Sequence, residues 1–233
     1  MYLITAATDM ELAHFTNAFG ENKYIQTLVT GVGPVETAVR LTSWLGNSRN
    51  TVSSVINLGV AGAYKKDICE TCANVLDICL AEREILGDFG IAFDDRIERF
   101  TDSSFPVTDI FALDAALLGL ACRALLKEKI EFHSGTFVTV SSASGTARRG
   151  AIVGKKNRGL CENMEGAAVA RVCKEFTLPC LEIRCISNMV ENRDKSRWKL
   201  QQASERAGAV TALVMHFLLS CHDESSLKSE TGQ

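Results

Sequence analysis

The 233-residue chain is long enough to bury one sizeable core, and its 46% hydrophobic and 23% charged residues are ordinary for a globular protein. A formal net charge of -3 provides no basic face for nucleic acid. No apolar run reaches the roughly 18 residues of a membrane-spanning helix, so neither a nucleic-acid nor a membrane partner is expected.

The chain starts Met1-Tyr-Leu-Ile-Thr, which reads as a strand without the basic and apolar regions of a signal peptide; a cytoplasmic protein is expected. "TDMELAHFTNAF" then reads as a helix. "YIQTLVTGVG" is a strand ending in a glycine turn, and "PVETAVRLTSWLGN" is a helix opened by Pro34 and closed at Gly46. "VSSVINLGVAGAY" is a buried strand running into a second small-residue turn, and "VLDICLAERE" is another strand. "DIFALDAALLGLACRALLKEK" reads as one long amphipathic helix. "FHSGTFVTVSSASGT" is a strand into a Ser/Gly loop, followed by the helix "MEGAAVARVCKEF", the strand "CLEIRCIS" and a last helix through "ERAGAVTALVMHFLLSC". This alternation predicts a single α/β domain over residues 1–221, with a polar and disordered tail over 222–233.

Nine cysteines, an odd number in a chain with no secretion signal, argue against a disulfide framework. Cys122, Cys173, Cys180, Cys185 and Cys221 lie in apolar surroundings and read as small hydrophobes. Cys69 and Cys72 have C-x-x-C spacing, but no second pair or histidine partner follows. Both read as structural, and no metal or cofactor is expected. "TGVGPVE" has two glycines of the dinucleotide fingerprint but Glu36 in place of the third, which is weak evidence for a nucleotide cofactor.

Nearly every predicted strand ends in a small, polar or charged cluster: residues 6–11, 31–33, 59–62, 141–145 and 187–188. Ligands of α/β sheets bind outside the carboxyl ends of strands, so these clusters are expected to converge on one pocket. Glu11 follows Thr8 by three residues, the spacing of a helix capping box, and is equally a carboxylate at a strand exit able to take a proton from water. Glu162 and Glu165 lie one helical turn apart; they suit the positive end of a helix dipole, and Glu165 could also accept hydrogen bonds from the vicinal hydroxyls of a sugar.

The succession "AATDMEL", "TGVGPVETA", "INLGVAGAY", "ENMEGAAVARVC" and "RCISN" resembles the purine nucleosidase/phosphorylase superfamily, and within it the nucleosidase branch. The likeness spans residues 1–215. "NMEG" followed some twenty residues later by "RCISN" is its most specific part. The resemblance implies a three-layer α/β/α fold around a central twisted mixed β-sheet, a homodimer, and a purine nucleoside and water as the small-molecule partners. It puts Glu11 where nucleosidases keep the carboxylate that activates water. Glu165 falls on the residue that binds the ribose 2′- and 3′-hydroxyls, with Asn163 and Met164 beside it and Ala61 and Gly62 in the facing turn as substrate-binding positions. Asn188 falls where adenine-specific members have an aspartate facing purine N7.

There are departures as well. Val60 replaces a serine near the water, and Ala143 stands where an aromatic usually stacks on the base. The related phosphorylases carry an arginine and a threonine where this chain has Asn57 and Val60, which favours water over phosphate. A carboxamide at 188 can donate to O6 of a 6-oxopurine while accepting from N7–H, so an oxygen-bearing base is expected. An adenine nucleosidase, a phosphorylase and a non-catalytic nucleoside-binding protein are the alternatives. Arg148, Arg149, Arg193 and Arg197 are available to meet an anionic group on the substrate, and the sequence does not choose among them.

Overall fold

A computed structural model describes residues 1–47, 52–65, 72–100 and 106–230. The first half of the chain runs β1 (Tyr2–Ala6), α1 (Asp9–Phe19), β2 (Ile25–Val29), α2 (Pro34–Asn47), β3 (Ser54–Ala63) and β4 (Ile78–Leu86). Two-residue strands β5 (Ile91–Ala92) and β6 (Ile97–Glu98) form a separate small hairpin, followed by β7 (Ile110–Ala112) and α3 (Ala115–Lys127). The remainder is β8 (Phe132–Thr139), α4 (Ala147–Asn157), β9 (Cys161–Asn163), α5 (Gly166–Glu175), β10 (Cys180–Met189) and α6 (Leu200–Glu230).

Eight strands form one mixed sheet with β3 at its centre. Along one edge β3 pairs in parallel with β10, from Val55↔Cys180 to Ala63↔Met189. The other edge is shared. β1 pairs with it in parallel over Ser54–Asn57, and β9 pairs antiparallel at Gly62 and Ala63. The backbone between Asn57 and Gly62 therefore has no strand partner on that side, which leaves its polar groups free for side chains. β4 runs antiparallel to β10 and parallel to β8, and β8 is parallel to β9. The five strands β3, β10, β4, β8 and β9 thus close into a ring, extended by β1 and β2 on one side and β7 on another. Right-handed twist is what lets a sheet of this size coil back on itself.

Helices cover both faces, and the strands are apolar for that reason. Phe15 of α1, Leu117 and Ala121 of α3, and Ala207 and Met215 of α6 pack with Ile4, Ile56, Leu80 and Ile183. Across the sheet, Leu41 of α2 and Val169 and Val172 of α5 pack with Leu3 and Val55. This is the expected three-layer arrangement.

Four elements differ from the sequence reading. Glu162, read as one helical turn from Glu165, lies on strand β9, and α5 begins only at Gly166 because β9 pairs with β3 and β8. The segment read as one long helix from residue 109 begins as β7, which pairs with β4; the helix starts only after Asp114, whose carboxylate caps it by accepting Leu117 N–H at 2.8 Å. The periodicity of α4 was hidden by its polar composition ("ARRGAIVGKKN"), and its start is set by the N-cap Thr146. The last helix continues through the polar stretch expected to be disordered, as far as Glu230. Neither glycine nor proline interrupts residues 209–230, so extending a helix already anchored by packing meets little resistance. Cys69 lies outside the described residues, and Cys72 is half-buried. Among the described residues no helix is long and apolar enough to cross a membrane, and no group of three His, Cys, Asp or Glu is placed to hold a metal ion.

Candidate active site

The five strand-end clusters do converge. A cavity of about 260 Å³ opens at the carboxyl ends of β1, β2, β3 and β10, walled by residues from each cluster and by residues 162–165. Small-molecule sites usually run from roughly 300 Å³ upward, so this is the size of one compact ligand. Glu11, Ala61, Gly62, Asn163, Met164, Glu165 and Asn188 all line it.

Glu11 is 4% exposed. Of its two sequence readings, the structure bears on the cap, which holds in part. Thr8 is the N-cap of α1 and accepts Glu11 N–H, but the Glu11 carboxylate does not return to the Thr8 backbone as a capping box requires. Instead Oε2 accepts from the Thr8 hydroxyl at 2.7 Å, and Oε1 accepts Val60 N–H at 3.1 Å. That N–H belongs to the stretch of β3 that lacks a strand partner. The valine at position 60 has no hydroxyl to offer, but its backbone holds the Glu11 carboxylate.

Glu165 is the N-cap residue of α5 and is 5% exposed. Its Oε1 accepts Gly33 N–H at 3.1 Å. The glycine pair that resembled a dinucleotide fingerprint has this use: Gly31 and Gly33 adopt φ of 83° and 92°, a left-handed turn that L side chains resist, and the turn aims a backbone donor at Glu165. The carboxamide of Asn163 lies behind, not in front. Its Oδ1 accepts the N–H groups of Glu165 and Gly166 at 2.9 and 2.8 Å, and its Nδ2 donates to Glu84. Asn163 thus lines the cavity while its polar atoms fix the start of α5.

Arg184 was not foreseen. It is the largest fully buried side chain among the described residues, 1% exposed, and it lines the cavity. Nε donates to Glu182 at 2.8 Å, Nη1 lies 3.5 Å from Glu165 and donates to Val60 C=O at 3.3 Å, and Nη2 has no partner among the described residues. Burial alone would depress its pKa, but Glu182, Glu165 and Glu11 reverse this and raise it. Around this cation stand Glu11, Glu165, Glu182 and Glu84. Burial, then the proximity of Glu182, pushes the fully buried Glu84 well above the usual carboxylate range, opposed by the hydrogen bonds it accepts from Thr139 and Asn163. Burial also raises Glu165, opposed by Arg184 and by the Gly33 N–H. A sequence signal existed: in "CLEIRCIS" Glu182 and Arg184 are two apart, on one face of a strand whose other face is Leu181, Ile183 and Cys185.

Asn188 sits where β10 bulges between Ile186 and Asn188. Its Oδ1 accepts the Ser187 hydroxyl at 2.8 Å and its Nδ2 donates to Met189 C=O at 3.1 Å. An amide has two N–H donors and two lone pairs, so one of each remains for a ligand. Trp198 is the aromatic residue of the wall, with the Arg193 guanidinium 4.8 Å from its ring centre. Ala143 lines the cavity from the loop after β8.

A twisted mixed sheet covered on both faces, with carboxylates, a carboxamide and a buried arginine gathered at the carboxyl ends of its strands, defines an α/β enzyme of nucleoside-cleaving type. Residues 6–217 match the sequence model of the phosphorylase superfamily, and the chain belongs to that family. It is 30% identical over 197 residues to futalosine hydrolase from Thermus thermophilus, an alignment covering 80% of each chain. It is 27% identical over 182 residues to the 5′-methylthioadenosine/S-adenosylhomocysteine nucleosidase of Mycobacterium bovis, covering 68% of this chain and 67% of that one. The solved futalosine hydrolase of Helicobacter pylori superposes with a TM-score of 0.78 at 20% identity, over 92% of this chain and 97% of that one, which shows the shared fold. Within the superfamily the chain is an N-glycosidase.

Gly59 is the β3 residue paired with Arg184. A Cβ there would overlap Arg184 Nη1 and come within 2.8 Å of Glu11 Oε1. Gly59→Ala should therefore displace both groups, lowering kcat/KM by about 100-fold or more and stability by about 1–3 kcal/mol. Steady-state kinetics with chemical denaturation checks both, and an unchanged kcat/KM would separate this contact from the activity.

Proposed function

We propose that the chain hydrolyses the N-glycosidic bond of futalosine, releasing hypoxanthine and dehypoxanthine futalosine, as a cytoplasmic step of menaquinone biosynthesis. The observation that carries this reading is the presence of Glu11, Glu165 and the uncharged Asn188 on the wall of one nucleoside-sized cavity. Glu11, fixed by Thr8 and Val60, orients and deprotonates water on the face opposite the base, as in inverting glycoside hydrolysis. Glu165 accepts from the ribose hydroxyls and stabilises the positive charge that develops on the sugar. Asn188 donates to O6 and accepts from N7–H of the departing hypoxanthine; the N7 proton comes from solvent, because an amide is no general acid.

Two observations favour water over phosphate as nucleophile. Of the two cations that line the cavity among the described residues, Arg184 is engaged through Nε and Nη1 by Glu182 and Glu165, with only Nη2 left over. Carboxylates also crowd the space a phosphate dianion would need. A homodimer belongs to the same proposal, supported by Val32, Val35 and Val39, which stand 59%, 76% and 58% exposed, with Val32 on the cavity rim.

Incubation with futalosine, inosine and methylthioadenosine, with and without phosphate, should release free base fastest from futalosine and independently of phosphate. Adenine release would point to an adenine nucleosidase, phosphate dependence to a phosphorylase, and stoichiometric binding without release to a nucleoside-binding protein. Glu11→Gln should lower kcat by about 100- to 10,000-fold with substrate binding little changed; near-normal turnover would remove Glu11 from the mechanism.

Glu165 acts as the anion. A carboxylate whose pKa is raised takes up its proton earlier as pH falls, so the acid limb of kcat/KM should lie above about 4.5. A pH–rate profile whose acid limb falls at or below that value would deny Glu165 this role.

Futalosine carries an aromatic carboxylate on its 5′ side. Of the four candidate arginines, Arg149 pairs with Asp88, Arg197 with Glu191, and Arg148 donates to Asp94 C=O. Arg193 lines the cavity, stacked on Trp198, and is the residue we assign to that carboxylate. Arg193→Ala should raise KM for futalosine by about tenfold or more while leaving inosine unaffected, since a charge-assisted hydrogen bond contributes about 1.5–3 kcal/mol. Equal effects on both substrates would place the 5′ carboxylate elsewhere.

A further inference from the structure

We propose that Glu162 is a second base-reading residue, whose carboxylate accepts the N1–H of a 6-oxopurine and so supplies the selectivity that Asn188 by itself lacks. The inference deepens the nucleosidase reading and rests on it for the position of the base.

Glu162, Gly62 and Asn188 form one row across three strands: Glu162 of β9 is the register partner of Gly62 in β3, and Gly62 is the register partner of Asn188 in β10. All three line the cavity. Side chains of register partners project from the same face of a sheet, and strands lie about 4.8 Å apart, so the outer two members are about 10 Å apart at their Cα atoms. The middle member has no side chain. A Cβ at Gly62 would stand 3.2 Å from Asn188 Nδ2 and 3.0 Å from Val190, so the glycine keeps the space between carboxylate and carboxamide open. That opening suits the edge of a planar bicyclic base.

The carboxylate is held in place by neutral donors. Oε1 accepts Ser144 N–H at 2.7 Å, and Oε2 accepts the Ser144 hydroxyl at 2.7 Å and the Tyr64 hydroxyl at 3.1 Å. Burial, and then Glu162 itself, pushes the Tyr64 phenol well above its ordinary range, so Tyr64 keeps its proton and remains the donor. Three donors occupy three of about four acceptor sites, which leaves one for a ligand. Glu162 is 7% exposed and, among the described residues, pairs with no cation. Anchoring a loop and a tyrosine does not require a buried charge, which is expensive to desolvate. The acceptor site left over is free for an N–H from a ligand.

The chemistry then separates the bases. A 6-oxopurine shows acceptor O6 beside donor N1–H; adenine shows a donor amino group beside acceptor N1. By turning over, the Asn188 amide can satisfy either pattern at N7 and position 6, at the loss of its bond to Met189 C=O. A carboxylate only accepts. With adenine in the same pose, the N1 lone pair would face Glu162 with no proton between them, a mismatch that should cost roughly tenfold or more in affinity.

The test uses the full chain and free bases, by calorimetry. Wild type should bind hypoxanthine at least tenfold more tightly than adenine. It should also bind 1-deazaadenine, where a C–H replaces N1 with no change of shape, at least fivefold more tightly than adenine. Glu162→Gln, whose amide can donate to N1, should shrink both ratios to within about threefold of unity. Equal wild-type affinities for adenine and 1-deazaadenine would overturn the proposal without reliance on any variant, as would unchanged ratios in a folded Glu162→Gln. Binding needs no turnover, so the two readings fail separately. If no nucleoside releases base while the binding contrasts hold, the hydrolase reading falls and the Glu162 assignment stands; if base is released and the contrasts are absent, Glu162 is wrong.

Discussion

The site depends on one buried guanidinium. Arg184, 1% exposed, is the cation that the surrounding carboxylates share: it bonds Glu182, approaches Glu165 at 3.5 Å, and adds its charge beside Glu11. Several carboxylates could not be held so close in a low-dielectric interior without it, because each unpaired buried charge carries a penalty of several kcal/mol. Glu84 shows what happens at the edge of its reach. With burial complete and Glu182 as neighbour, its pKa is pushed well above the usual carboxylate range. The arrangement gives Glu165 and Glu11 opposite neighbours in one space, a cation behind and an open cavity in front. A carboxylate that is partly relieved but not fully neutralised by protein groups is suited to answer positive charge that appears on a ligand.

The sheet makes room for this cluster by changing partners. β3 gives up β1 after Asn57 and gains β9 at Gly62, and in between its backbone is available to side chains. Val60 N–H turns to Glu11 and Val60 C=O to Arg184, so the same residue orients both a carboxylate and the guanidinium of the cluster. Gly59 lies beneath both, where any side chain would overlap Arg184. Three residues further along, Gly62 opens the space between Asn188 and Glu162. In the proposed reading, one strand therefore builds the sugar side of the cavity with its backbone and the base side with an absent side chain.

The opposite roles of two amides show how context decides what a residue does. Asn163 and Asn188 both line the cavity, but Asn163 turns its polar atoms to Glu84 and to the first N–H groups of α5. Asn188 sits past a bulge, at a strand end, with hydrogen-bonding capacity left over. Rigid placement of the first is what lets Glu165 stand at the helix start in the right place. Substrate recognition in the proposed reaction falls to the second.

Much of this was legible in the chain itself. Alternating apolar strands and amphipathic helices gave the α/β class, and the ordering of "NMEG" and "RCISN" gave the family, because glycine turns, capping residues and strand-end carboxylates are local features written in consecutive residues. All seven sequence-derived site positions reached one cavity. The start of α3, the existence of α4 and β9, and the reach of α6 were not legible, since pairing of β7 with β4 and packing of polar helices are settled by partners distant in sequence. The same holds for the charges. That Arg184 would be buried, that the Glu84 pKa would be pushed up, and that Glu162 would face Asn188 across a glycine are properties of strands about 50 to 125 residues apart lying side by side. Sequence names the ionisable groups; only the tertiary structure sets the distances and the burial that decide their charge and their orientation.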